Sequence, residues 1–145
     1  MDALINILIV DDSADDVEFT LNALRGTKLA NAINIVTDGV EAMEYLRKQG
    51  KYANAMTPSM VLLDLNMPRK DGREVLAEMK KDKDLRLIPV VILTTSEAEE
   101  DIVRSYDLHA NCYISKPVDL QALSKIVRSI DDFWFGVVQL PPGRC

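Results

Sequence analysis

Four groups of polar residues each stand directly behind an apolar, strand-like run. Asp11 and Asp12 follow Leu4 to Val10, Asp64 follows Met60 to Leu63, Thr94 follows Val90 to Leu93, and Lys116 with Pro117 follows Tyr113 to Ser115. If those runs are parallel strands of an open α/β sheet, their carboxyl ends converge on one crevice. Three carboxylates, a hydroxyl and an ammonium then meet there. Crowded carboxylates without a counter-charge repel one another, and a hard divalent cation with oxygen ligands relieves that repulsion. The natural third party is a phosphoryl group. Asp64 is the candidate acceptor, since a carboxylate can act as the nucleophile that becomes an aspartyl phosphate. Such a transfer needs in-line positioning and charge neutralisation more than an acid or base. Asp11 and Asp12 can supply metal ligands, and the main-chain carbonyl of Asn66, two residues past Asp64, can join them. Thr94 offers a hydroxyl donor, and Lys116 a point charge on a flexible stem.

Each of these residues also has an ordinary reading. A lone Asp after a strand commonly caps a helix, an Asp-Asp pair before Ser13 can be no more than a helix entry, and Lys-Pro pairs are frequent. What points to a site is their joint occurrence, in this order, each at a strand end.

The elements that must position them alternate strand and helix five times. Leu4 to Val10 is almost wholly apolar, as a strand covered on both faces should be. Ser13 with Asp16 marks a helix start, and Val17, Leu21 and Leu24 form its buried stripe. Ile33 to Val36 is a short strand, after which Asp38 and Glu41 open a second helix carrying Val40, Met43 and Leu46. The segment from Gln49 to Pro58 is a loop, long for its class, and is read as a tolerated surface insertion in preference to a partner-binding element. Met60 to Asp64 is the third strand. Met67 to Gly72 is a turn, followed by a helix through Val75, Leu76 and Met79. Pro89 precedes the fourth strand, Ser96 with Glu99 starts another helix, Asn111 to Ser115 is the fifth strand, and Asp119 opens the last helix. Strands separated by helices of this length imply parallel crossovers. The expected fold class is α/β, a flavodoxin-like (βα)5 three-layer sandwich with a parallel five-stranded sheet in the order 2-1-3-4-5.

Bulk properties narrow the function. A chain of 145 residues suits one domain with one core. A net charge of -6 argues against non-specific nucleic-acid binding. No apolar run approaches the roughly 18 residues that span a membrane. The N-terminus lacks a signal-peptide pattern, so the expected compartment is cytoplasmic. Cys112 reads as a small buried hydrophobe, Cys145 ends a Pro-Pro-Gly-containing tail, and His109 is a loop or cap residue.

Val-Asp-Asp-Ser at 10 to 13, Leu-Asp-Leu-Asn-Met-Pro-Arg-Lys-Asp-Gly at 63 to 72, Leu-Thr-Thr-Ser at 93 to 96 and Tyr-Ile-Ser-Lys-Pro at 113 to 117 together resemble the receiver domain of a two-component response regulator. The resemblance runs to about Ile130. It implies that Asp64 accepts a phosphoryl group from a phosphohistidine of a sensor histidine kinase. Asp11, Asp12, Asp64 and the Asn66 carbonyl would hold Mg2+ or Mn2+, and Thr94 and Lys116 would contact the phosphoryl group. It also makes Thr94 and Tyr113 a switch pair. Such a protein is no turnover enzyme: it catalyses only its own phosphorylation and dephosphorylation. The long loop, the Arg-Lys-Asp-Gly motif and Thr-Thr-Ser are similar to the small response regulators of cyanobacterial and bacterial phytochromes, which would make the partner a light-sensing kinase.

The expected division is a receiver domain at 1–134 and an apolar tail at 135–145, with no separate effector and no DNA or membrane partner. Output then runs through contact with another protein, and a phosphorelay role, passing the group onward, is the alternative. In the last helix Leu120, Leu123, Val127, Ile130 and Trp134 form one apolar row, and Ile126 and Phe133 a second beside it. That arc is wider than a surface helix needs. A homodimer through Ile126, Ile130, Phe133, Trp134 and Phe135 is preferred to a tail folded back on its own core. A rival, a small Mg-dependent phosphatase using Asp64, wants an acid two residues on. That position is Asn66, which cannot serve as a proton donor acid.

Overall fold

The structure is a computed structural model and describes residues 6–27, 32–65, 67, 69–94, 112–115, 121 and 125. The first strand, β1 (Asn6–Val10), is buried at every position. So is β3 (Met60–Asp64). Unbroken apolar runs of this kind belong to strands with layers on both faces. With β2 (Ala32–Val36), β4 (Val90–Thr94) and β5 (Cys112–Ser115) they form one sheet in the order β2-β1-β3-β4-β5, and each neighbouring pair is parallel. This is the order expected from the alternation of elements.

Successive side chains of a strand point to opposite faces, and the two cores follow that parity. Ile7, Ile9, Met60, Leu62, Val91 and Leu93 pack on one face. They meet Leu24 and the partly buried Val17 and Leu21 of α1 (Ala14–Thr27). Leu8, Val10, Val61, Leu63, Val90 and Ile92 pack on the other. Their partners are Met43 and Leu46 of α2 (Gly39–Leu46) and Val75, Leu76 and Met79 of α3 (Gly72–Lys81). Among the described residues no helix is long and apolar enough to cross a membrane.

Helix starts fall where side-chain oxygens can take up the orphan N–H groups of a first turn. Asp16 N–H donates to Ser13 Oγ at 3.3 Å, Glu41 N–H to Asp38 Oδ1 at 2.8 Å, and Glu74 N–H to Asp71 Oδ1 at 3.0 Å. The first two are the starts read from the sequence.

The segment between α2 and β3 departs from the expectation of a plain surface insertion. Lys48 and Gly50 both take φ of 57°, and a 3-10 turn covers Gly50–Tyr52. That turn lays Tyr52 and Ala55 against the core beneath α2 and α3. The Tyr52 ring centroid is 5.1 Å from that of Tyr45, tilted by 59°. The length of the loop is used to bring an aromatic ring back to the core. Strand ends differ slightly from expectation: β2 begins at Ala32, one residue before Ile33, and Leu4 and Asn111 lie outside the described residues.

Candidate functional site

Strand register brings the acidic residues together. Val10 of β1 is paired with Leu63 of β3. One step further along both strands puts Asp11 beside Asp64. Their parity is that of Ile9 and Leu62, so both lie at the end of the α1 side of the sheet. One carboxylate oxygen from each of Asp11, Asp12 and Asp64 lies within 4.8 Å of the other two. Asp11 is fully buried, Asp64 is 5% exposed, and Asp12 is open to solvent. The site therefore has a dry floor and one wet wall. Asp11 is anchored from two directions: its N–H donates to the Val36 carbonyl at 3.1 Å, and its Oδ1 accepts from Ser13 N–H at 3.0 Å.

The donor set fits a hard divalent cation. Two buried carboxylates and one exposed carboxylate within a few ångströms repel strongly in a low dielectric, and oxygen-only donors suit Mg2+ or Mn2+ while leaving room for waters. Softer metals would want nitrogen or sulfur ligands, and no His or Cys joins this group among the described residues.

The turn that follows Asp64 is held by contacts the sequence reading did not find. Arg69 Nη2 and Nε both donate to Asp38 Oδ2, at 2.6 and 3.0 Å. Gly39 N–H donates to the Lys70 carbonyl at 3.0 Å. Lys70 Nζ in turn pairs with Glu78 of α3. Asp38 thus caps α2 with one oxygen and grips the β3–α3 turn with the other. Burial alone would raise its pKa, but the Glu41 N–H and the Arg69 guanidinium outweigh that and hold it below the usual carboxylate value. Arg69 itself has φ of 65°, a left-handed conformation that costs a residue with a Cβ about 1 kcal/mol or more. Two glycines allow the close approach: a Cβ on Gly39 would overlap the Lys70 carbonyl oxygen, and one on Gly72 would overlap the carbonyl oxygen of Asp64. In the sequence Asp38 reads only as a helix start, and Asp71-Gly72 only as the end of a turn.

Of the residues singled out in the sequence, Asp11, Asp12 and Asp64 are brought together. Thr94 is the last residue of β4, one step past Leu93, which is the register partner of Asp64; Thr94 itself pairs with Ser115. Its backbone thus stands beside the carboxylates across one strand. Tyr113 is on β5, in register with Ile92. Asn66, Lys116, Ile126, Ile130, Phe133, Trp134 and Phe135 lie outside the described residues.

Comparison with known proteins gives a consistent result. The sequence family described as the response regulator receiver domain matches residues 7–128. Response regulator Rcp1 of Synechocystis sp. is 47% identical over 135 residues, which is 93% of this chain and 92% of that protein. Among solved structures, the phosphorylated cyanobacterial phytochrome response regulator RcpA is similar with a TM-score of 0.77 and 50% identity, covering 96% of this chain and 99% of that one. The Mn(2+)-bound form of Rcp1 is similar with a TM-score of 0.73 and 47% identity, covering 94% and 98% of the two chains.

Proposed function

The chain belongs to the response regulator receiver domain family, and from that premise we propose that it accepts a phosphoryl group on Asp64 from a sensor histidine kinase of phytochrome type. The observation that carries this reading is the meeting of Asp11, Asp12 and Asp64 within 4.8 Å at the ends of two adjacent strands. The kinase assignment is supported by likeness to RcpA, itself a phytochrome response regulator.

In the transfer, a carboxylate oxygen of Asp64 attacks phosphorus in line with the phosphorus–nitrogen bond of a phosphohistidine. That bond breaks, its electron pair returns to the imidazole, and an acyl phosphate forms on Asp64. Asp11, Asp12 and Asp64 would hold Mg2+ or Mn2+, completed by the Asn66 carbonyl, and the bound ion supplies charge neutralisation. Burial fixes the direction from which Asp64 is approached. Thr94 donates its hydroxyl to a phosphoryl oxygen, and Lys116 contributes a positive charge. With Asp64 modified, Thr94 and Tyr113 act as the switch that alters the surface offered to a protein target. Residues 1–134 form the receiver unit, and the tail at 135–145 joins the last helix in a homodimer through Ile126, Ile130, Phe133, Trp134 and Phe135.

The test is phosphotransfer from an autophosphorylated phytochrome-type histidine kinase carrying radiolabelled phosphate. Label should move to the wild-type chain within the mixing time and not to Asp64→Asn. Label retained on the kinase with a folded wild-type chain would remove the kinase pairing. For the dimer, truncation after Asp132 should give a soluble monomer by size-exclusion chromatography; an unfolded product would instead mean the tail covers its own core.

A further inference from the structure

At the opposite end of the sheet from the carboxylates, the loop between α2 and β3 walls a cavity of about 350 Å³. That size is at the lower end of the range typical of small-molecule sites, about 300–1,000 Å³. Asn6, the first residue of β1, forms part of its wall. The backbone of Asn6 is pinned: its N–H donates to Ser59 Oγ at 3.2 Å, and its carbonyl accepts from Ser59 N–H at 2.8 Å. Its side chain is a different matter. Asn6 is only 7% exposed, yet the sole hydrogen bond of its carboxamide among the described residues goes to the thioether of Met56, at 3.8 Å. A thioether is a weak acceptor, so a better acceptor that enters the cavity can displace it from the Asn6 carboxamide.

The remaining walls describe that ligand. Asn34 of the edge strand and Asn54 of the loop add two more carboxamides, each both donor and acceptor. Tyr45 and Tyr52 supply aromatic surface. Among the described residues Lys51 is the one charged residue of the lining. Its side chain is 71% exposed, and its long 3.7 Å pair with Glu41 is an exchangeable partner. Among the described residues no carboxylate lines the cavity. We propose that it binds a small planar organic anion, a heterocycle or arene whose polar edge meets the carboxamides of Asn6, Asn34 and Asn54 and whose phosphate or carboxylate meets Lys51. Carboxamides are suited to such edges because they pair a donor with an acceptor in one plane, as in their two-point contact with adenine.

The test is an NMR titration of the full chain, following the side-chain amide signals of the asparagines in buffer with a chelator and no divalent ion. AMP and its neutral counterpart adenosine probe a phosphate head, and orotate and neutral uracil probe a carboxylate head. The side-chain signals of Asn6, Asn34 and Asn54 should shift saturably with at least one anion. That anion should bind about three- to fivefold more tightly than its neutral counterpart, roughly what one exposed ion pair contributes. Lys51→Ala should erase the difference, and Asn6→Leu should remove binding of both. Asn34→Ala, on an exposed position, keeps the test available if Asn6→Leu does not fold. Asp64→Asn should leave the titration unchanged. A response to AMP only identifies a phosphate ligand, and one to orotate only a carboxylate. Absence of saturable shifts at the three amides with all four probes at millimolar concentration would overturn the proposal, as would indifference to Lys51→Ala.

Discussion

Asp11 and Asp64 are buried carboxylates, and one oxygen from each, with one from Asp12, lie within 4.8 Å of one another. Two unit charges at that separation repel by roughly 3 kcal/mol at an effective dielectric of about 20. A cation bound between them relieves that repulsion. Asp11→Asn removes one of the charges that would hold it. The same variant should bind Mn2+ at least about tenfold more weakly by calorimetry, since one ligand charge is gone. An unchanged Mn2+ affinity in the folded variant would show that Asp11 is a structural residue only. The chemistry of these residues was legible in the sequence because each stands at the end of a recognisable strand, and parallel strands leave their ends few places to go.

Asp38 serves two elements at once, capping α2 through Oδ1 and gripping the β3–α3 turn through Oδ2. Its pKa is lowered on folding. The stability it contributes is therefore fully present above its unfolded pKa of about 3.9 and drains away as pH falls through the lower folded value. Asp38→Asn keeps a good cap but loses the charge, and should cost about 1 kcal/mol at neutral pH. In urea melts the gap between variant and wild type should close as pH falls through that lower folded value; a gap that persists once the carboxyl is protonated would place the effect in packing and not in charge. Arg69 sits at a positive φ. Arg69→Gly should thus be less damaging than Arg69→Ala by about 1 kcal/mol, both having lost the ion pair. Gly72→Ala should cost about 2–3 kcal/mol, as overpacking does, because its Cβ would push on the carbonyl of Asp64 itself. These contacts were not legible beforehand. Asp38 and Arg69 are 31 residues apart, and nothing local in either turn announces the other. The same is true of Tyr52: loop composition told of a break in regular structure, while the ring's place beside Tyr45 follows only from folding.

At the scale of the whole molecule, the two faces of one parallel sheet are covered by different helices, and strand parity alone sorts the core between them. That architecture was legible because apolar runs, helix caps and turn residues are local signals that agree with one another. It places the carboxylates at one end of β1 and the Asn6 cavity at the other, roughly 15 Å apart at a strand's rise per residue. A cation that binds only the folded chain must stabilise all of it. Mn2+ at about one hundred times its dissociation constant should therefore add about 2.7 kcal/mol to unfolding, an increment that should fall sharply in Asp11→Asn.

Every functional step proposed for this chain starts with phosphorylation of Asp64. Intact mass after incubation with acetyl phosphate and Mg2+, on wild type and Asp64→Asn, tests it most directly. Wild type should gain one phosphoryl group and the variant none. The same gain in folded Asp64→Asn, or no gain in folded wild type, would contradict it.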